Sequence, residues 1–182
     1  MNKNQKDVSI ELILFTSIFF FSVSVFAQES HGVEYERDTL ITAAREMMIE
    51  VRYCALITLD EQGHPQARMM DPFVPEEDLV VWMGTNPDSR KVREIKNDSR
   101  VTLYYEDKDR AGYVVIKGRA KIVDDNELKL KYWKEGWNRF YEDINTSYTL
   151  IKVVPTELEV IDYQRGIVGE AKTWAVPWVG FE

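Results

Sequence analysis

The sequence predicts a mainly β domain with helices, of the α+β class: a small antiparallel barrel dressed with helices. Three observations predict it. Six or seven short β-rich runs are interspersed with two or three helical stretches. The strand pairs at 53–73 and 148–163 read as joined by tight turns, which demand antiparallel pairing. The chain has 182 residues with 45% hydrophobic and 30% charged, ordinary values for one globular domain with a single core. Intrinsic disorder and a disulfide scaffold are excluded, the latter because Cys54 is the one cysteine.

The first segment stands apart from that domain. Leu12 to Ala27 is an apolar run preceded by Lys3 and Lys6. It ends in Val25-Phe26-Ala27, with small residues where signal peptidase needs them, so residues 1–27 read as a signal peptide cleaved after Ala27. Asp7 and Glu11 offset the two lysines, which keeps an uncleaved membrane anchor as the alternative. The expected location is secreted or periplasmic. The expected organisation continues with a linker at 28–36, the domain at 37–165 and an apolar tail at 166–182. Removing the signal leaves about 155 residues, a domain that buries roughly 70% of its unfolded surface.

Each element follows from local pattern. Leu40, Ala43, Ala44, Met47, Met48 and Val51 form one apolar stripe and predict a helix over 38–52. Tyr53 to Leu59 is a β-rich run, Asp60-Glu61-Gln62-Gly63 a hairpin turn, and Gln66 to Phe73 the returning strand. Leu79 to Met83 is a third strand. Asn86, Pro87 and Asp88 suit the N-cap, first position and first turn of a short helix from about 87 to 97. Arg100 to Glu106 is a fourth strand and Tyr113 to Val123 a fifth, with Gly118 at a bulge or close backbone approach. Asp124 to Tyr141 reads as a helix with Leu128, Tyr132, Trp133 and Trp137 at helical spacing. Tyr148 to Val154 and Glu157 to Tyr163 read as two strands around Pro155. The runs at Glu76-Glu77-Asp78 and at Asp107 read as solvated loops.

The formal charge is −8, from 23 basic and 31 acidic residues. That balance argues against a nucleic-acid binder, which would present a basic face. It leaves room for a small anion in a locally basic pocket. Thr85 and Ser89 lie at the mouth of the second helix, whose first free N–H groups attract anions. Arg90 and Lys91 add cations in that first turn, where they oppose the helix dipole unless an anion binds there. Arg68 sits on a strand with apolar flanks. These residues suit a phosphate, Arg with a planar fork and Lys with a point charge. The competing reading is a solvated helix face, with Arg90 and Lys91 paired to Asp88 and Glu94.

The run Ala67-Arg68-Met69-Met70, then Val80 to Asp107, then Tyr113 to Asp125 resembles the pyridoxamine 5'-phosphate oxidase-like FMN-binding split barrels, in their general stress protein branch. The carrying motifs are the Gly63 to Met70 hairpin (G-x-P-x-x-R-x-M), then Thr85, Ser89 and Lys91 before a short helix, then Gly118 and Ala120. The resemblance spans residues 36–164. It implies a six-stranded antiparallel split barrel and a homodimer with FMN at the subunit interface. It also implies that Arg68, Ser89, Arg90 and Lys91 hold the FMN phosphate, with the backbone at Met69, Met70 and Thr85 along the flavin. Some split barrels bind haem, which makes His64 or Cys54 the alternative ligands.

Departures from the family pattern bear on the reaction. Phe73 stands where the oxidases have a substrate-phosphate Lys. The stretch Tyr163 to Glu182 lacks their R-x-H motif. Tyr113 replaces a Gln. Flavin binding survives this comparison better than pyridoxamine phosphate oxidation. The expected function is a flavin-dependent oxidoreductase of unassigned substrate; the alternative is a non-catalytic flavin carrier, sensor or storage protein. A flavin-free binding module is a third reading. Two histidines, His31 and His64, give poor support for a metal centre. Cys54 reads as a small core residue, and Trp133 and Trp137 as core or interface. Trp174, Pro177 and Trp178 are candidates to fold over the flavin edge or the dimer groove.

Overall fold

A computed structural model describes residues 35–182; the expected signal segment, His31 and almost all of the linker lie outside them. Helix α1 (Arg37–Val51) buries Leu40, Ala43, Ala44, Met47 and Met48, the stripe expected from the sequence. Strands β1 (Cys54–Leu59) and β2 (Pro65–Met70) form an antiparallel hairpin with Cys54 opposite Met70. Asp60 shapes the turn by accepting from the amides of Gln62 and His64. Gly63 takes φ 80° there, a conformation that glycine adopts without strain.

The chain continues through β3 (Val81–Thr85), α2 (Arg90–Asn97), β4 (Arg100–Asp107), β5 (Gly112–Val123), α3 (Asn126–Lys131), β6 (Thr149–Ile161) and β7 (Trp178–Gly180). The sheet order is β2-β1-β4-β5-β6-β3, with β7 added to β6, and the pairings are antiparallel. The described sheet therefore has seven strands rather than six, and it stays open between β2 and β3. Residues on β1 and β4 alternate between a buried inner face (Leu56, Leu103, Tyr105) and an outer face (Ala55, Ile57, Tyr104), as the pleat requires.

Two apolar clusters hold the fold. One joins α1 to the inner face through Met47, Met48, Leu56, Leu103 and Ile116. The other is aromatic and centres on Trp82, Tyr132 and Tyr148, with Phe73, Trp133, Trp137 and Tyr141 against it. Trp133 and Trp137 thus belong to a core, and Cys54 is buried as expected. Burial pushes the Cys54 thiol up to about 12.

Four local expectations are corrected. First, 148–163 is not a turn-linked pair: β6 runs unbroken through Pro155. Pro155 sits opposite Gly118, where the β5–β6 register shifts between Lys117 and Gly118. A bulge accommodates a residue without an N–H. A Cβ on Gly118 would stand 2.5 Å from the Val154 carbonyl oxygen, so the expected close approach is real. Second, the helix after Asp124 ends at Lys131. Gly136 turns left-handed at φ 81° and leads into a 3₁₀ turn, Trp137–Arg139. The aromatic spacing reflects packing around Tyr148 rather than one long helix.

Third, α2 begins at Arg90, with Ser89 as N-cap. Asn86 instead bends the chain one turn earlier, its Oδ1 accepting from the Asp88 amide at 2.8 Å. Fourth, Asp107 is buried, not solvated, and pairs with Arg110. At the Glu76 loop the carboxylate also has internal partners, accepting from Trp82 Nε1 at 2.9 Å and Tyr132 Oη at 3.0 Å. The tail is ordered by β7, which pairs with Glu157–Glu159 of β6 and buries Val179.

Candidate functional site

The β1–β2 hairpin and α2 meet where β3 delivers the chain into the second helix. Ser89 makes no side-chain cap bond; its hydroxyl lies 3.4 Å from that of Thr85. Lys91 Nζ donates to the Thr85 hydroxyl at 3.0 Å. Burial and the nearby Arg68 guanidinium hold the Lys91 ammonium below its ordinary range, with Glu94 counteracting. A cation with a neutral hydroxyl as partner, at a helix end rich in free N–H groups, is suited to an anion.

Behind it lies a buried network. Residues alternate along β2, so Met69 points out, 68% exposed, while Arg68 points toward α2. Arg68 Nη2 donates to Glu94 Oε2 at 2.7 Å, and Nη1 donates to Thr58 Oγ1 at 2.5 Å and to the Leu56 carbonyl at 3.3 Å. Thr58 Oγ1 in turn donates to Glu94 Oε2 at 2.5 Å. The Glu94 side chain is 5% exposed, and its Oε1 lies 2.9 Å from Arg90 Nε. That contact is an ion pair without a hydrogen bond. Desolvating a carboxylate this far is costly, and here two guanidiniums and a hydroxyl offset it.

The sequence reading is therefore half right about Arg90 and Glu94. They pair, but Glu94 is buried beside Val92 and Ile95 while Arg90 reaches it from the exposed side of α2. Three cations, Arg68, Arg90 and Lys91, surround one carboxylate, so the local excess of positive charge is real.

Thr85 and Lys91 also line a cleft of about 490 Å³, together with Met69, Met70 and Gly84. Its size falls in the range of small-molecule sites. Its far wall comes from the segment after α3: Lys134, Trp137, Phe140 and Tyr141. Lys134 ties that segment to the end of β2, donating to the Asp71 and Pro72 carbonyls at 3.0 and 2.7 Å. It also pairs with the Asp71 carboxylate at 2.8 Å, which Arg52 holds from the other side with bonds of 3.0 Å. These ion pairs hold the Asp71 carboxyl below its ordinary range against the opposing effect of burial. A Cβ on Gly84 would meet Tyr148 Cε2 at 2.3 Å, so glycine keeps this part of the cleft floor flat.

All seven expected site residues converge on this region: Met69, Met70, Thr85 and Lys91 line the cleft, and Arg68, Ser89 and Arg90 stand at its α2 end. The sequence alone assigns no place at the site to Thr58 or Asp71, nor to Glu94 beyond a surface pairing, nor to the wall at 134–141. The signal for Glu94 was its place one residue before the apolar Ile95. For the wall, the assumed long helix concealed it. A larger depression of about 810 Å³ adjoins the cleft at Tyr53 and Met69 and carries Glu50, Glu106 and Asp109. Its acidic lining makes it a poorer anion site than the smaller cleft. His64 is exposed on the hairpin turn, 74% by side chain, and Cys54 faces the core; neither reaches the cleft lining.

Comparison with known proteins bears on the family and the fold. Residues 40–174 match the family model described as pyridoxamine 5'-phosphate oxidase like. The chain is 26% identical over 106 residues to General stress protein 26 of Bacillus subtilis, covering 56% of this chain and 74% of that protein. Among solved structures it is similar to General Stress Protein 26 from Bacillus anthracis, with 24% identity and a TM-score of 0.59 over 75% of this chain and 98% of that one. It is also similar to a general stress protein 26-related protein from Clostridium acetobutylicum, with 17% identity and a TM-score of 0.66 over 80% and 97%. A pyridoxamine 5'-phosphate oxidase-related, FMN binding protein from Nostoc punctiforme shares 12% identity at a TM-score of 0.55, over 78% and 93%. At these identities the structural likeness establishes the split-barrel fold.

Proposed function

Because this chain belongs to the pyridoxamine 5'-phosphate oxidase-like family, we propose that it binds FMN in the cleft and serves as a flavin-dependent oxidoreductase. The observation that carries this reading is the excess of cations, Arg68, Arg90 and Lys91, at the first turn of α2, where the cleft begins. The phosphate lies against Lys91, Ser89 and Thr85, with Arg68 and Arg90 behind it. The flavin extends past Met69, Met70 and Gly84 toward Trp137. Bound FMN supplies the electron-transfer chemistry; the chain supplies position, charge and shelter from water.

A second copy of the chain completes the site in this reading. Tyr53 is 49% and Met69 68% exposed, and both lie where the cleft meets the outer sheet face. Tyr104 and Tyr113 stack on that face with ring centroids 5.8 Å apart. An exposed apolar face of this kind marks an interaction surface. Trp174 and Trp178, 79% and 64% exposed, extend it along β6. Export to a periplasm-like compartment remains part of the proposal, carried by residues 1–27, and cell fractionation tests it.

Phe73 bears on the substrate class. Its ring packs edge-on to Tyr132 and Trp137, so this position contributes packing and no charge for a substrate phosphate. The competing reading is a flavin carrier or sensor. It is favoured by the internal pairing of Asp71 with Arg52 and Lys134, which leaves these groups committed to structure. The visible spectrum of purified protein incubated with FMN tests binding. The expected result is a shifted flavin spectrum that the combined variant Arg68→Ala, Lys91→Ala abolishes. A wild-type flavin shift that persists in that variant refutes the site. Reduction of the bound flavin by NADPH or another donor then separates enzyme from carrier.

A further inference from the structure

We propose that Glu94 is a positioning residue for the ligand phosphate: its carboxylate holds Arg68 and Arg90 in place at the α2 end of the cleft before the phosphate arrives. The proposal rests on the FMN reading above and adds a residue to it.

A buried carboxylate beside an anion site needs a reason, since Coulomb repulsion makes it oppose the phosphate. Stability alone is a weak reason. Well-packed apolar residues commonly match or exceed a buried ion pair in stability. The geometry supplies a better one. Oε2 collects Thr58 and Arg68 at 2.5 and 2.7 Å. Thr58 closes the triangle by accepting from Arg68 Nη1, which also reaches the Leu56 carbonyl. Three of the five guanidinium N–H donors are thereby directed into the protein, which fixes the plane of the ring of donors. The remaining donors are left for a ligand. A long, flexible side chain is ordered in advance, and that ordering no longer weighs against binding.

Oε1 is treated differently. It is buried, lies 2.9 Å from Arg90 Nε and accepts no hydrogen bond. Arg90 is 59% exposed by side chain. The pair is thus close enough to steer Arg90 by charge, yet leaves its donors uncommitted. Glu94 holds one guanidinium rigidly and tethers the other loosely.

Comparing FMN with riboflavin isolates the phosphate contribution, because the two ligands share the ring and the ribityl chain. Each is titrated into purified wild type and Glu94→Gln, with flavin fluorescence as the readout. The expected result is an FMN affinity at least about tenfold weaker, with riboflavin changed less than about twofold. Equal weakening of both flavins means that Glu94 only supports the fold, and overturns the proposal. Unchanged or tighter FMN binding means that it only opposes the phosphate, and overturns it too.

Thr58→Val keeps the side-chain shape and removes the hydroxyl that closes the triangle. It is expected to weaken FMN about threefold and leave riboflavin alone. If Glu94→Gln does not fold, unchanged FMN affinity in Thr58→Val overturns the proposal. Wild-type protein that binds neither flavin defeats the FMN reading and this proposal together. Wild-type protein that binds FMN, with a ratio indifferent to both variants, defeats this proposal alone.

Discussion

At the α2 end of the cleft a carboxylate sits 5% exposed between two guanidiniums, and a handful of short polar contacts settle the geometry. At the other end, rings pack on rings: Trp82 stacks on Tyr132 with centroids 4.6 Å apart, and Tyr148 meets Trp133, Trp137 and Tyr141. Tyr148 also anchors the wall by donating to the Tyr132 carbonyl. The two ends respond differently to change. A directional polar network fails when one member loses its charge or reach. An aromatic cluster distributes its energy over many contacts, so its loss is felt in overall stability. If FMN binds as proposed, the polar end governs selectivity for its phosphate, and the aromatic end governs stability and the shape of the cleft.

The largest effect that would test this division comes from Trp82→Ala. Trp82 is 5% exposed, and truncation is expected to cost about 3–5 kcal/mol in chemical denaturation. The ratio of FMN to riboflavin affinity should stay constant in the fraction that remains folded. A selective loss of FMN in this variant would break the comparison.

Gly84→Ala is expected to come next, at about 1–3 kcal/mol. Its Cβ would press on Tyr148 and Trp137 at 2.3 and 2.5 Å. Because the clash is at the floor of the cleft, both flavins should weaken equally, measured by titration alongside thermal unfolding.

A pH titration sharpens the polar end. The Lys91 ammonium is held below its ordinary range by burial and by Arg68 and Arg90, with Glu94 opposing. The charged form attracts phosphate, so FMN affinity should hold through neutral pH and fall as pH rises through that lowered value. Riboflavin affinity should stay flat over the same interval. Parallel loss of both would assign the pH dependence to the fold instead.

The smallest effect is expected at Cys54, away from both ends. Its buried thiol, raised to about 12, should not react with a thiol reagent at pH 8 in native protein and should react fully after denaturation. Native reactivity would show that the main core opens more readily than its packing implies.

Much of the molecule was readable because the relevant signals are local. The α1 stripe, the Asp60–Gly63 turn and the bulge at Gly118 each follow from a few neighbouring residues. The grouping of Thr85, Ser89, Arg90 and Lys91 was readable for the same reason, since they follow one another from the end of β3 into the first turn of α2. The misreadings arose where a local pattern had two solutions. Leu128, Tyr132, Trp133 and Trp137 fit a helix, but Gly136 and the pull of Lys134 toward Asp71 end it early. Pro155 resembles a strand break until the register shift beside it, which leaves Thr156 of β6 unpaired opposite Lys117 and Gly118, accommodates it. Asp107 and Glu94 resemble surface charges until their guanidinium partners are placed beside them.

By itself, the sequence determined the fold class, the order of elements through β5 and the concentration of basic and hydroxyl residues at the start of α2, because periodicity, turn chemistry and residue type act over short distances. The tertiary structure alone decided that β6 is one strand, that the segment 134–141 walls the cleft, and that Glu94 lies beneath the cations. Thr58, Arg68 and Glu94 come from β1, β2 and α2. A charge is tolerated inside a protein only when its partners surround it, and which partners do so depends on how these three elements pack.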